Sequence, residues 1–583
     1  MLLKSLINVA CVCIASLTFV GLNAQNPLVI PPALTGPVFN LNVQTGTMNF
    51  YPPSSTPTYG INGPFLSPTI IVNKGDMVTL NVINNLPVST TMHWHGLHVA
   101  PENDGGPHQS IGAGTTWSPS FEILNNAGTF WYHPHGEGKT ELHVGKGLAG
   151  MFIIHDPAEL ALGLPGTYGV DDFPIIVQTK SFDGLNQISL ASHMDTAVFV
   201  NGTLDPVLDV PAQMVRMRLL NGSSMRSFYF GFSNGMTFQQ IGTEGGLKAA
   251  PLTLSRILLA PGERTEIVVD LNALLGQSFD LMSYASEMPL GVFGSPFVGV
   301  VGQDTLMGYS ENPLNGADFP LLKLNVVAQT ASPVTTLPAT LVPYVPYDVA
   351  DADITRMIVL DTLRALPIDV PNLASGPFGI NNRSFDMDSI NIHVPLNSTE
   401  IWTLVNNTHI AHPFHIHDIL FNVIEKNGDP TPPSETGWKD VVLVMPHDSV
   451  KFITKFITFT DEMVPYMYHC HLLHHEDDGM MGSFLVHDTT LNVNENILGG
   501  IGELSVYPNP SNTEWNIDLT EVGGEYQITI HSITGEEILR QKGNILGNSL
   551  NESLSCKTLS EGIYFLKIET TNGIFQSKIE KFH

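Results

Sequence analysis

Val464-Pro-Tyr-Met-Tyr-His-Cys-His471, running on to Gly482-Ser-Phe-Leu-Val-His-Asp488, has a counterpart far upstream in Gly128-Thr-Phe-Trp-Tyr-His-Pro-His135, which runs on to Gly150-Met-Phe-Ile-Ile-His-Asp156. A second matched pair precedes these. Asn84-Asn85 stands before His93-Trp-His95-Gly96, and Asn406-Asn407 stands before His412-Pro-Phe-His-Ile-His417. Self-similarity of this kind marks two copies of one folding unit. Met77–Val82 and Val215–Leu219 alternate apolar and polar residues as strands do, and no long amphipathic helix is evident. With 52 Gly and 41 Pro among 583 residues, turn formers punctuate the whole chain. The expectation is an all-β fold of sandwich units spanning 25–160, 165–330 and 335–492, with a smaller β segment at 500–583. The middle unit has strands but none of the histidine pairs.

Composition narrows the function. The net charge of −30 argues against nucleic acid and anionic membranes as partners, because both attract basic surfaces. Lys4, an apolar run from Leu6 to Val20 and Leu22-Asn23-Ala24 read as a signal peptide over 1–24. Cys11 and Cys13 sit inside that run, which argues against a lipid anchor on either. No other stretch approaches the 18 or so apolar residues that a membrane helix needs. Beyond the signal two cysteines remain, Cys470 and Cys556, too few for a disulfide scaffold in an exported protein.

Cys470 therefore invites a chemical reading. Among 22 histidines, about one His-x-His pair is expected by chance. The chain has four: His93/His95, His133/His135, His415/His417 and His469/His471. On a strand, residues i and i+2 face the same side, so each pair presents two imidazoles to one place. In His469-Cys-His471 the thiol points the other way. Two histidines, a cysteine and a weak axial methionine form a blue-copper electron-transfer site, and His412, His475 and Met480 are positioned in the sequence to complete one. Pro134 stands where the first copy would need its cysteine, so only the last unit builds this site.

His-Trp-His-Gly, His-Pro-His, His-Pro-Phe-His-Ile-His and His-Cys-His-x3-His-x4-Met, in that order over residues 30 to 490, resemble the four copper motifs of multicopper oxidases. The resemblance implies three cupredoxin-like Greek-key β-sandwich domains and four copper ions. Carried over position by position, type 1 copper falls to His412, Cys470, His475 and Met480, with Cys470 as the point of electron intake. Type 2 copper falls to His93 and His415. One type 3 copper falls to His95, His133 and His471, and the other to His135, His417 and His469. His474 and Met481 adjoin ligand positions, and the family spacing selects His475 and Met480. Asp104 and Glu476 match acidic positions that assist proton delivery, against plainer roles as a turn residue and a hydrogen-bond partner of a ligand. His98, His108, His143, His155 and His487 fit no ligand position.

The implied reaction is one-electron oxidation of a small-molecule donor coupled to four-electron reduction of O2 to water. Thr408-His409-Ile410-Ala411 lacks the acidic residue and methionine that typically precede this motif in cuprous oxidases, and no Met-rich segment is present. The reading is thus laccase-like, acting on phenolic or other small aromatic donors. A cuprous oxidase remains the alternative, since Gly437-Trp-Lys-Asp440 resembles that branch. A non-catalytic copper-binding surface protein is a third reading, and a two-domain nitrite reductase a poorer one.

The last segment differs in character. Val506-Tyr-Pro-Asn-Pro510, Tyr526–Ile530, Leu559–Lys567 and a hairpin turn at Asn572-Gly573 resemble the C-terminal sorting domain of type IX secretion substrates, against a small adhesion or carbohydrate module. That resemblance implies the secretion machinery as a partner and passage across the outer membrane, to be secreted or held at the cell surface.

Overall fold

The computed structural model describes residues 26–190, 194–298, 309, 311–363, 378–488, 504–520, 522–532, 537–545, 547–571 and 573–582. The signal peptide expected at 1–24 lies outside them. The contacts divide the chain into two compact units, Met1–Val486 and His487–His583.

Six sheets build the first unit. Val38–Met48 runs parallel to Met77–Asn84 in one sheet, and Gly128–His133 pairs antiparallel with His93–His95 and Gly150–His155 in another. Leu41, Val43 and Leu80 from the first sheet and Ile70, Phe130 and Phe152 from the second share one apolar core. The same plan recurs near the C-terminal end of the unit. There Ile354–Thr362 runs parallel to Thr399–Asn406, while His412–Ile416 lies between Val441–Val444 and Tyr466–Cys470. Trp402, Phe414, Phe452, Tyr468 and Phe484 fill the core between these sheets. The middle strands repeat the plan again, with Asp172–Phe182 parallel to Met214–Asn221. The described segment Asn26–Pro27 joins the middle sheet beside Pro206–Pro211, rather than the sheets of the segment that follows it.

Alternation sets the faces. Met77–Asn84 buries every second residue, as a strand with one covered face should. Gly128–His133 and Tyr466–Cys470 are buried throughout, so a second surface must cover their other face. For Gly128–His133 part of that cover is the middle segment: Trp131, Met151 and Ile153 pack with Ile176 and Leu220. Arg218, buried at this junction, is paired with two carboxylates. Arg218 Nη1 donates to Glu266 Oε1 and Nη2 to Asp172 Oδ2, both at 2.8 Å. The helices between strands are short, and no helix among the described residues is long and apolar enough to cross a membrane.

One asparagine recurs in all three repeats, at the end of the strand that carries the parallel pairing. Asn84 Nδ2 donates to the Val88 and Ile111 carbonyls. Asn221 Nδ2 donates to those of Arg226 and Leu259, and Asn406 Nδ2 to those of Ile410 and Val444. Each side-chain carbonyl accepts the backbone N–H two residues on, from Leu86, Ser223 and Thr408. All three asparagines are fully buried. Each stitches two loops to a strand end using groups that would otherwise be unsatisfied.

The second unit holds a three-stranded sheet, Leu504–Tyr507, Glu514–Thr520 and Ser549–Ser555, and a four-stranded one, Glu537–Ile545, Gly524–Ser532, Gly562–Thr570 and Gly573–Lys581. Trp515, Ile517, Ile528, Ile530, Leu566 and Ile568 form its core. Thr570 pairs with Gly573, closing the hairpin expected there, with Asn572 itself outside the described residues.

Asn221→Ala removes a donor shared by two buried carbonyls. It should destabilise the first unit by about 1–3 kcal/mol, read as a lower melting temperature; an unchanged melting temperature would contradict the stitching role.

Candidate metal centre

The strand register carries the geometry. Cys470 lies opposite Phe414 and His469 opposite His415. Cys470 therefore shares a face with Phe414 and Tyr468 and points into the core of its own sandwich, while His469 and the neighbouring His471 point out of it. In the first repeat His93 lies opposite His133 and His95 opposite Trp131. The outward faces of the two repeats meet, with His93 stacked on His417 at 3.8 Å between ring centroids and His95 on His415 at 3.7 Å.

Five groupings result, each with its ligand atoms within 4.8 Å of one another: His93, His415 and His417; His95, His133 and His471; His135, His417 and His469; His412, Cys470 and His475; and His95, His415 and Asp440. Every histidine and cysteine expected from the sequence falls in one of them. Met480 joins the same apolar core as Cys470. Its carbonyl accepts from the Cys470 amide at 3.0 Å and its amide donates to the His475 carbonyl at 2.8 Å. The neighbouring candidates part company: Met481 lines a separate cavity beside Glu476, and His474 Nδ1 bonds the Glu141 carboxylate at 2.8 Å.

Proton positions follow from the acceptors. His93 Nδ1 lies 2.9 Å from the Asp104 carbonyl, His415 Nδ1 2.8 Å from the Asp440 carbonyl and His133 Nδ1 2.8 Å from the Pro134 carbonyl. A carbonyl only accepts, so each of these nitrogens carries the proton. His417 Nδ1 donates to Asp104 Oδ2 at 2.8 Å and His95 Nε2 to Asp440 Oδ1 at 3.1 Å. The bare nitrogens all point inward. His135 Nε2 and His469 Nε2 face each other at 3.0 Å, and His95 Nδ1 and His133 Nε2 at 3.4 Å. The Nε2 atoms of His93, His415 and His417 are buried without a hydrogen-bond partner. Buried lone pairs aimed at one another repel and are satisfied by a cation between them, so the donor set fits metal ions. Burial, followed by mutual repulsion, holds the His133, His415 and His417 pKa values far below the ordinary range and takes His471 to about 3. The rings are therefore neutral and able to ligate.

The cysteine site is fixed by a longer chain. Asn406 Oδ1 accepts the Thr408 hydroxyl proton at 2.8 Å. The Thr408 oxygen must then accept from His412 Nε2, 2.7 Å away. His412 Nδ1 is thus left bare, 3.4 Å from Cys470 Sγ, with His475 Nδ1 at 3.7 Å from the same sulfur. Burial pushes the Cys470 thiol well above its ordinary pKa, so a neighbouring cation is what makes the thiolate.

Residues 42–159 and 361–490 each match a sequence family described as multicopper oxidase, and 505–581 match the secretion system C-terminal sorting domain. The multicopper oxidase mco of Staphylococcus haemolyticus is 31% identical over 457 residues, covering 77% of this chain and 88% of that protein. The cell division protein FtsP of Escherichia coli is 30% identical over 472 residues, covering 79% and 93%. The chain belongs to the multicopper oxidase family. Among solved structures, the laccase-like multicopper oxidase CueO of Ochrobactrum sp. superposes with a TM-score of 0.68 at 31% identity, covering 79% of this chain and all of that one. A laccase from Pediococcus acidilactici gives 0.66 at 29% identity, covering 80% and 94%. The sorting domain marks this multicopper oxidase for export across the outer membrane to the cell surface, which implies the secretion machinery as a partner.

Both expected carboxylates border the histidine cluster. Asp104 Oδ1 is buried without a hydrogen-bond partner, 3.4 Å from His93 Nδ1. Glu476 Oε1 lies 3.4 Å from His135 Nδ1, and Oε2 lies 3.2 Å from His469 Nδ1. Burial works to raise the Glu476 pKa, but attraction to His135 and His469 holds it below the ordinary range. A cavity of about 170 Å³ reaches Glu476, lined also by His135, Asp477 and Gly479. Burial and repulsion from Glu476 take Asp477 up to about 7.

Sequence reasoning missed Asp440 and Arg264. Arg264, from the middle segment, grips both Asp440 oxygens at 2.6 Å, and Asp440 in turn orients His95 and His415. Asp440 stood in a quoted motif, yet no histidine pair marked the middle segment as a contributor. The other histidines have partners elsewhere. His98 bonds Asp418, His108 the Met387 carbonyl, His143 Thr90 and His155 Glu159, while His487 is the last residue of the strand Met481–His487.

Thr408→Val keeps the shape of the side chain but removes the acceptor for His412 Nε2. Copper affinity at the cysteine site should fall about 10–100-fold, followed by titrating the blue absorption; unchanged affinity would mean that the tautomer is set some other way.

Proposed function

We propose that this chain is a laccase-like oxidase, taking single electrons from phenolic or other small aromatic donors and reducing O2 to water. His412, Cys470, His475 and Met480 would hold the type 1 copper, and His93 and His415 the type 2 copper. His95, His133 and His471 would hold one type 3 copper, and His135, His417 and His469 the other. Copper bound at these four places supplies reversible one-electron chemistry and the capacity to reduce O2 by four electrons.

The observation that carries this reading is the His469-Cys470-His471 strand. Its thiol belongs to one ligand set and its two imidazoles to others, so the sites are joined by a few covalent bonds. The Cys470 carbonyl also accepts from His469 Nδ1 at 3.1 Å, adding a hydrogen-bonded shortcut. A protein that merely stores copper needs neither link, which favours an enzyme over a copper-binding surface protein.

The protons consumed with O2 call for a route through the protein. Glu476 touches the cluster histidines and borders the cavity, which suits it to pass protons inward. Asp104 holds His417 with one oxygen and keeps the other beside His93, suiting it to the opposite flank.

For the reductant, Thr408 and Ile410 are both buried, and Thr408 is committed to His412 and Asn406. Neither offers the carboxylate or thioether that would collect Cu(I), which favours an organic donor. The Ochrobactrum relative, described as active towards lignin model compounds and lignosulfonate, supports the same choice. Copper-loaded protein should take up O2 faster with a methoxyphenol than with Cu(I). The reverse order would assign the chain to copper oxidation instead. A Met480→Leu variant should raise the potential of the type 1 site; a redox titration giving an unchanged or lower value would sink the axial assignment.

A further inference from the structure

We propose that His409 and His447 form a metal site of their own, taking one borderline transition-metal ion of the zinc, nickel or cupric class, and that its occupancy tunes the cysteine site next to it. His409 Nδ1 and His447 Nε2 lie 2.9 Å apart on the surface, with ring centroids 4.9 Å apart and planes at 68°. Both residues are exposed, and neither belongs to the clusters above.

The pair is held in place from below. Asn406 Nδ2 donates to the Ile410 carbonyl at 2.7 Å on the loop carrying His409. The same nitrogen donates to the Val444 and Met445 carbonyls, each at 3.1 Å, on the turn carrying His447. The Asn406 amide adds a bond to the Asp448 carbonyl at 3.0 Å. One buried side chain thus fixes both loops, so the two imidazoles meet without further ordering. His447 adopts φ +59°, a left-handed conformation that glycine or asparagine takes at lower cost.

Zinc–nitrogen bonds of about 2.0–2.1 Å at a tetrahedral angle put two nitrogens roughly 3.3 Å apart. The two nitrogens, now 2.9 Å apart on exposed rings, reach that spacing by a slight rotation. Water would complete the coordination. Partial burial and the neighbouring His447 lower the His409 pKa, which keeps the ring neutral. Imidazole selects zinc, nickel and copper over calcium and magnesium, which prefer oxygen. Thr408, the neighbour of His409, accepts the His412 Nε2 proton. A cation on this loop therefore adds positive charge beside the type 1 ligands and favours their reduced state.

The test is calorimetric titration of the copper-loaded full chain with zinc chloride, with magnesium chloride as control. His409→Gln and His447→Asn are the variants, asparagine being chosen because it tolerates the left-handed backbone. The expected result is one zinc equivalent that magnesium does not mimic, weakened in each variant by at least the roughly 10-fold that loss of an outer-sphere partner costs. Zinc should also raise the type 1 midpoint potential of the parent protein and leave that of His409→Gln unmoved. Binding that survives either substitution, or binding that leaves the parent potential unchanged, would overturn the proposal.

Discussion

Everything at the centre of this molecule depends on where the imidazole protons sit. Carbonyl and carboxylate acceptors on the outside of the cluster pin N–H groups outward, and bare nitrogens are left to converge on a buried interior. No arrangement of neutral rings alone makes such convergence favourable. The surrounding fold serves to impose it, through fully buried strands whose outward faces have nowhere else to go.

The three repeats divide this labour unequally. The first and last supply histidine pairs, and only the last has a cysteine on the opposite face of the same strand. The described residues of the middle repeat join none of the histidine and cysteine groupings, but they include Arg264, which holds Asp440, which orients one histidine from each of the others. The buried asparagine common to all three, evident as a structural stitch, also reaches the chemistry in the last repeat. There it determines the Thr408 hydroxyl and, through it, which His412 nitrogen is free.

Much of this was legible in the sequence because strands have a period of two. Residues spaced i and i+2 must share a face, so the His-x-His pairs and the inverted Cys470 announced two connected sites, and the repeated blocks announced the sandwich plan. The Asn84 and Asn406 positions were visible as repeat markers, but their role as loop clamps was not, because a side-chain amide's partners are set by tertiary geometry. Asn221 went unnoticed, since no histidine pair followed it. Arg264 and Asp440 were illegible as a pair for the same reason: they are distant in sequence and meet only when the repeats assemble. The choice between His474 and His475 rested on spacing, and the geometry separates the two by pointing one at Glu141 and the other at Cys470.

A single strand, residues 469 to 471, would join a thiolate-held copper to a histidine-held cluster. The most direct measurement is metal content, visible absorption and O2 uptake of copper-reconstituted Cys470→Ser. The expected result is loss of the blue absorption together with one copper per chain, retention of the histidine-bound copper, and arrest of O2 uptake with any organic donor. Retention of the blue absorption, or O2 uptake at the parent rate, would contradict it.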